Sequence, residues 1–524
     1  MTTLRQLLLD RAGDDRLGLA SLAGTWTWAE HVAEAGARAT ALRELLDPAR
    51  PPHVGVLLDN TPEMVMALSA AALGGHVAVG LNTTRRGDSL LGDVRTGDCQ
   101  LVLTDAAHAG LLEGVDVPVV DVGCAEWAEQ VDRGAGASRL ASLAPQPAIS
   151  DDSLFMLIFT SGTSGEPKAV RVTHEKVWFP GLMLADMFGI TADDVCYVSM
   201  PLFHSNAVMA GYGLALFAGA TLALGERFSA SSLLDDVRQF GATYLNYVGK
   251  PLAYVLATPE KPDDADNPLR LAFGNEANEK DVAAFAERFG CRVYDGFGST
   301  ENAVVISRVA GTPPGALGMP LDGVKVLDPE TGAERPPAEF GTNGEVLNLD
   351  DAVGELVNTQ GAGQFAGYYN DEAATAERMR DGMYWSGDLG YRDAAGFAYY
   401  AGRTGDWLRV DGENLAAAPV ERILLRHPDV SSVAVYAVPD PRAGDQLVAA
   451  LVLHDGAGLD PARFEEFLAD QPDLGPKQWP RYVRLADALP QTATNKVLKR
   501  ELVREGLDVT DPVWTRAERG TAYA

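Results

Sequence analysis

Positive charge is scarce in this chain. Its 524 residues carry 43 Lys and Arg against 73 Asp and Glu, a formal net charge of −30. That balance excludes a nonspecific nucleic-acid binder and a protein that adsorbs to anionic membranes, because both need a cationic face. It also requires any polyphosphate site to gather its few cations locally. Cysteine is sparse as well. Cys99, Cys124, Cys196 and Cys291 are scattered, no Cys-x-x-Cys occurs, and no Cys/His group has zinc spacing. The pattern reads as reduced thiols of a cytoplasmic protein, not as a disulfide frame. The first residues, Met1-Thr2-Thr3-Leu4-Arg5, lack the hydrophobic region of a signal peptide. An uncharged stretch at 207–224 approaches the ~20 residues of a membrane span, but Gly211, Gly213, Gly219 and Thr221 interrupt it. It reads as a buried helix followed by a strand, so no stable membrane span is expected. Internal repeats and low-complexity blocks are absent.

What is present is a regular alternation. A chain of this length exceeds a single core and implies two or more domains. Residues 26–46 open with Trp26-Thr27-Trp28 and continue as a helix with Val32, Ala35, Ala39, Leu42 and Leu45 on one side. Residues 54–58 form a short buried strand, and Asn60-Thr61-Pro62-Glu63 caps an apolar helix through Leu73. Gly75 and Gly80 bracket another strand, residues 101–104 and 117–120 continue the series, and 195–200 and 244–248 are further buried strands. The alternation predicts a layered α/β domain. Residues 123–150 are weakly patterned and expected at the surface. Residues 311–366 are rich in Gly and Pro with short strands such as 324–327, which suggests a small β subdomain. After Gly402 the texture changes to strands at 433–438 and 448–453 and a helix at 462–468, a separate α+β domain. The expected division is 1–404 and 405–524, with a loosely held tail over 508–524.

The strongest local signal follows the apolar run 154–159. Thr160-Ser161-Gly162-Thr163-Ser164-Gly165-Glu166-Pro167-Lys168 places glycines, hydroxyls and a lysine within a few residues of a strand end. Glycines let backbone N–H groups approach an anion, hydroxyls donate hydrogen bonds, and the lysine supplies charge. It is not a Walker A loop, which ends in Gly-Lys-Ser/Thr and opens a helix; here Pro167 precedes the lysine and removes a donor.

This loop resembles the phosphate-binding signature of the AMP-forming adenylating enzymes, which include acyl-CoA synthetases, peptide-synthetase adenylation domains and luciferases. Further motifs of that superfamily follow in order: Gly296-Phe297-Gly298-Ser299-Thr300-Glu301, Tyr384-Trp385-Ser386-Gly387-Asp388, Gly402-Arg403 and Asn495-Lys496. The resemblance spans essentially the whole chain. It implies an α/β fold with a large N-terminal domain of layered subdomains and a small, mobile C-terminal α+β domain. It also implies ATP, Mg2+ and coenzyme A as partners of the reaction. Thr300 would bond an α-phosphate oxygen and Glu301 would hold magnesium, which prefers one or two carboxylates plus phosphate oxygens. Phe297, where the family usually has Tyr, would pack on adenine beside Gly274-Asn275-Glu276-Ala277, a loop that departs from the family's commoner Pro-bearing pattern. Asp388 would accept the ribose hydroxyls, and the Arg403 fork would bond ribose or phosphate. Lys496 would bridge carboxylate and phosphate; Asn495 before it replaces the usual Gly and still tolerates a left-handed backbone. Gly405 would be the hinge and Gly412 would mark the CoA-side loop.

Three features narrow the acid. Phe203-His204-Ser205 lacks the Asp with which peptide-synthetase domains hold an amino group. Residues 405–414, 270–275 and 297–302 resemble the fatty-acid-transport-protein, or very-long-chain acyl-CoA synthetase, branch, although Asn302 stands where that branch commonly has Gly. The resemblance implies a hydrophobic acid, long-chain fatty or bulky polycyclic, and the uncharged 207–224 segment suits an apolar wall. His204 either gates or binds the acid, or packs as a core histidine; both readings stand. Two rivals to the acyl-CoA synthetase stand beside it: an acyl-AMP ligase that loads a carrier protein, and a non-catalytic acyl- or nucleotide-binding homologue. A homodimer is compatible with the sequence.

Overall fold

The computed structural model describes residues 2–135, 148–161, 167–277, 279–342, 344–403, 407–410, 413–440, 444–475, 478–491, 497–517 and 520–524. The chain divides into two compact units, Met1–Asn302 with Gln364–Glu377, and Ala303–Gly363 with Arg378–Ala524. The expected boundary at 404/405 falls at residues outside the described set.

The first unit is the predicted α/β structure. One sheet runs in the order Arg292–Gly296, Leu271–Asn275, Tyr244–Val248, Val195–Val198, Thr221–Leu224, Leu17–Ser21, Gly24–Thr27, parallel until the last pair. A second sheet runs Val119–Asp121, Leu101–Thr104, His53–Leu57, Val77–Gly80, Leu154–Ser161, Pro167–Thr173, parallel until its last pair. Four of these strands, His53–Leu57, Val77–Gly80, Leu101–Thr104 and Thr221–Leu224, are buried at every position. This is why they read as apolar runs and not as alternations.

The helices start where the sequence says. Thr27 and Glu30 form a reciprocal capping box at Trp28–Leu45. Thr61 caps Pro62–Gly74, with Pro at its first turn and Gly75 closing it at φ 78°. Replacing either threonine by Ala would cost about 1 kcal/mol. The segment read as a buried helix carries a feature that periodicity did not reveal. Ser205–Ala207 and Leu214–Ala218 are α-helical, but Val208–Gly213 between them is a π-helix. It lies against the helix His174–Phe188, where a Cβ on Gly181 would come 2.6 Å from the Gly213 carbonyl oxygen. Among the described residues no helix is long and apolar enough to cross a membrane.

In the second unit the expected β subdomain is an antiparallel sheet of Val324–Leu327, Gly354–Asn358, Met379–Arg380, Met383–Arg392 and Ala398–Arg403. The expected α+β part has its own sheet, with Val430–Asp440 and Tyr482–Leu485 on either side of Gly444–Leu453. Its core is built by Val420, Leu424, Leu451 and Phe464.

The stretch 123–150 lies largely at the surface in its described part, as expected, but Ala125–Gly134 is a helix whose Trp127 is 4% exposed and joins the main core. One expectation needs correction. The 508–524 tail is not loose in its described part. Val513–Thr515 pairs with Tyr482–Leu485, and the Tyr523 hydroxyl donates to the Pro480 carbonyl at 2.7 Å. Buried aromatic surface holds this terminus, and it outweighs the entropy of fixing it.

Candidate functional site

Each unit carries part of the expected site. In the first, the antiparallel pair Leu154–Ser161 and Pro167–Thr173 brings Thr160 opposite Lys168. Gly162, Thr163, Ser164 and Gly165 lie outside the described residues, as do Gly405, Gly412 and Lys496. The Ser161 side chain is likewise outside them. The Lys168 side chain is mostly buried, its Nζ 3.4 Å from Glu377 Oε2 and 5.3 Å from the centre of the Tyr368 ring. The Tyr368 hydroxyl donates to Glu301 Oε1 at 2.9 Å. One tyrosine therefore has the loop lysine at its ring and the predicted metal carboxylate at its hydroxyl. Among the described residues Glu301 Oε2 takes no hydrogen bond.

The Thr300 hydroxyl lies 3.0 Å from that of Ser205, so the Phe203-His204-Ser205 turn reaches the Thr-Glu pair. His204 is half-buried with its ring desolvated, which pushes its pKa down to about 4. Among the described residues its Nε2 has no hydrogen-bond partner. Desolvation thus favours the neutral imidazole.

Parallel pairing of Leu271–Asn275 with Arg292–Gly296 sets Asn275 beside Gly296, at the entry to Phe297, Gly298 and Ser299. Gly274 is required by close packing, since a Cβ there would stand 2.4 Å from the Tyr247 carbonyl oxygen. Glu276 has φ 68°, and Asp295 Oδ2 accepts from the Ala277 N–H at 3.0 Å and from the Tyr247 hydroxyl at 2.9 Å. These contacts fix the Gly274–Ala277 turn without a proline. Phe297 is half-buried. Asn302 has φ 51°, and its amide bonds Gln364. The departure from Gly at this position is thus a swap between residues that reach the left-handed region.

In the second unit Asp388 and Arg403 face each other across adjacent strands, with Nε to Oδ1 3.4 Å. Asp388 is 6% exposed. The Ser386 hydroxyl receives the Asp388 N–H at 3.0 Å, and Glu355 Oε1 receives the Gly387 N–H at 2.6 Å. Gly387 sits at φ 74°. The turn that presents the carboxylate is thus held from behind by a buried glutamate, whose pKa burial raises.

Sequence reasoning missed Tyr368, Glu377, Ser205, Asn206, Asn246 and Lys176. Lys176 is fully buried, and among the described residues its Nζ has no hydrogen-bond partner. Burial pushes its pKa down to about 8 against an opposing pull from Glu301. A signal existed for Tyr368, a Tyr-Tyr pair after Gly367 in a glycine-rich segment, but nothing local assigned it to Glu301.

A lysine and a carboxylate on one tyrosine suit phosphate and its counter-cation. With a largely parallel sheet behind them, they define a nucleotide-handling α/β enzyme. The chain belongs to the AMP-binding enzyme family: the family's model matches residues 11–369, and that of the AMP-binding enzyme C-terminal domain matches 419–496. It is 55% identical over 512 residues to the medium/long-chain-fatty-acid–CoA ligase FadD17 of Mycobacterium marinum, covering 98% of each chain. It is 47% identical over 525 residues to the steroid-22-oyl-CoA synthetase of Rhodococcus jostii, covering 99% of this chain and 94% of the relative. Among solved structures, ATP-bound MatB from Rhodopseudomonas palustris matches with a TM-score of 0.82 at 25% identity, covering 96% of this chain and 99% of that one.

Proposed function

We propose that the protein is an AMP-forming acid–thiol ligase that activates a hydrophobic carboxylic acid, long-chain fatty or polycyclic. A carboxylate oxygen attacks the α-phosphorus of ATP, pyrophosphate leaves, and an acyl-adenylate forms. The thiol of coenzyme A then attacks the acyl carbon, AMP leaves, and the thiol proton is released. The observation that carries the reading is the convergence of Lys168 and Glu301 on Tyr368. It sets one of the cations that a chain of net charge −30 must gather for a polyphosphate beside a carboxylate suited to its counter-ion.

In this reading Lys168 meets the phosphates and Thr300, braced by Ser205, donates to an α-phosphate oxygen. Such preorganised donors are the main source of rate in phosphoryl transfer. Glu301 has an unbonded oxygen, and one carboxylate with phosphate oxygens suits magnesium, which supplies charge neutralisation when bound. Phe297 and the Gly274–Ala277 turn take the adenine, and Asp388 with Arg403 takes the ribose. Neutral His204 lines the acid side as an uncharged wall. Lys496 bridges carboxylate and phosphate in the first step, Gly405 is the hinge, and Gly412 lies on the CoA side. The four free cysteines fit a reducing, cytoplasmic setting.

The test is a screen of acids with magnesium ATP that reads pyrophosphate release. Mass spectrometry then compares coenzyme A with a phosphopantetheinyl carrier protein as acceptor. Acyl-CoA as product supports the reading. Transfer to the carrier alone would replace the acceptor, and no pyrophosphate from any acid would overturn the reading.

A further inference from the structure

Three asparagines form a one-way chain through the first unit. Asn246 Nδ2 donates to Asn206 Oδ1 at 2.6 Å, Asn206 Nδ2 donates to Asn275 Oδ1 at 3.2 Å, and Asn275 Nδ2 donates to the Gly296 carbonyl at 2.8 Å. The direction is fixed from the Gly296 end. A carbonyl only accepts, so Asn275 must turn its NH2 toward Gly296 and its oxygen toward Asn206. Asn206 must then offer its NH2 to Asn275 and its oxygen to Asn246. The end left over is the Asn246 oxygen. Asn246 is 1% exposed, and among the described residues its Oδ1 has no hydrogen-bond partner. A buried acceptor left unmet is costly, and the donors behind it polarise it into a stronger one.

The position of Asn246 connects it to the acid. It shares its face of the strand Tyr244–Val248 with Tyr244, whose hydroxyl donates to the Ala210 carbonyl of the π-helical turn at 2.8 Å. Asn246 therefore faces the segment from His204 to Gly213, the acid side in the ligase reading. In the ligase reading the ligand there is a hydrophobic acid, and the donor on its body that costs least to desolvate is a neutral hydroxyl.

We infer that Asn246 Oδ1 is a specificity element that accepts a hydrogen bond from a hydroxyl on the body of the acid. The substrate class is then a hydroxylated hydrophobic acid, preferred over its unsubstituted and keto counterparts. This rests on the ligase reading and deepens it. A site built to accept from a hydroxyl discriminates against an analogue that leaves its oxygen unmet, and more strongly against a ketone, whose oxygen faces another oxygen.

The experiment measures kcat/KM for pyrophosphate release with magnesium ATP. Its probes are straight-chain and polycyclic acids with a hydroxyl at successive carbons, each beside its keto and unsubstituted partner. At one position the hydroxyl should raise kcat/KM by about tenfold or more, and the ketone should fall below the unsubstituted acid. In Asn246→Leu the hydroxyl preference should collapse toward equality. Because that substitution also cuts the amide chain, the hydroxyl-against-ketone ranking on the native protein stands as an independent measure. Ketones that match hydroxyls at every position, or a preference that survives Asn246→Leu, would overturn the inference while the parent acids still turn over and the ligase reading stands. No pyrophosphate from any acid would overturn both.

Discussion

Replacing Tyr368 by Phe removes a single oxygen atom. In the native chain that oxygen donates to Glu301 Oε1 at 2.9 Å, while the ring lies 5.3 Å from Lys168 Nζ. Phenylalanine keeps the ring face for the lysine, and Glu377 keeps its 3.4 Å contact with the same ammonium. The phosphate-side cation therefore stays where it is. What disappears is one hydrogen bond to a charged acceptor, worth about 1.5–3 kcal/mol. If all of it is expressed in the transition state, the rate falls by about one to two powers of ten. Glu301 keeps its charge but loses the contact that selects its rotamer, so its proposed metal ligation should weaken with it. The assay is pyrophosphate release across a magnesium titration at fixed ATP. In Tyr368→Phe, kcat/KM should drop about 10- to 100-fold at low magnesium and recover in part when magnesium is in excess. Glu301→Gln keeps the shape without the charge and should fall further with the same magnesium dependence. A folded Tyr368→Phe protein with native kcat/KM at every magnesium concentration would refute the positioning role.

Burial holds His31, His76, His174 and His204 at pKa values of about 4, below the ordinary 6.5. The unfolded chain binds more protons than the folded one between those values, so their contribution to stability is lost as the pH falls from about 6.5 to about 4. Thermal midpoints measured across that window should decline steadily, and a flat profile would contradict neutral burial. Lys496→Ala should cut adenylation by about two or more powers of ten yet leave thioester formation from supplied acyl-adenylate; equal loss of both half-reactions would count against its role. Gly405→Pro should release pyrophosphate in a first turnover and then stall as bound acyl-adenylate, because proline restricts a backbone that must turn. Quenched single-turnover reactions measure both species, and native acyl-CoA formation in the folded variant would rule out this hinge.

Local chemistry was readable wherever one residue type had a single structural use. Asn60-Thr61-Pro62-Glu63 announced a helix start, and Thr61 took the cap. The Asn302 substitution was visible as a departure, and its left-handed φ supplies the reason that spacing alone could not. What stayed hidden was assembled over distance. Asn206, Asn246 and Asn275 are isolated amides in the sequence, and strand and helix placement alone brings them into one chain. Tyr368 meets Glu301 across 67 positions. The helix Ala125–Gly134 escaped notice because it buries little beyond Trp127 and Gly134. The carboxy-terminal strand did so because three residues, Val513–Thr515, are too short to show an alternation.

The π-helical turn at Val208–Gly213 bears on how this chain can be recombined with others. A π turn holds one residue more than an α turn, so it behaves as a one-residue insertion absorbed without breaking the helix. Replacing it with a straight α-helix of the same number of residues would rotate everything downstream by about 100°. Leu214 and Leu216, now fully buried, would turn away from the core, and the Gly181–Gly213 contact would lose its register. Chimeras meant to exchange acid preference should therefore join outside 205–218, and alignments across this wall need a one-residue gap wherever a relative's helix runs straight.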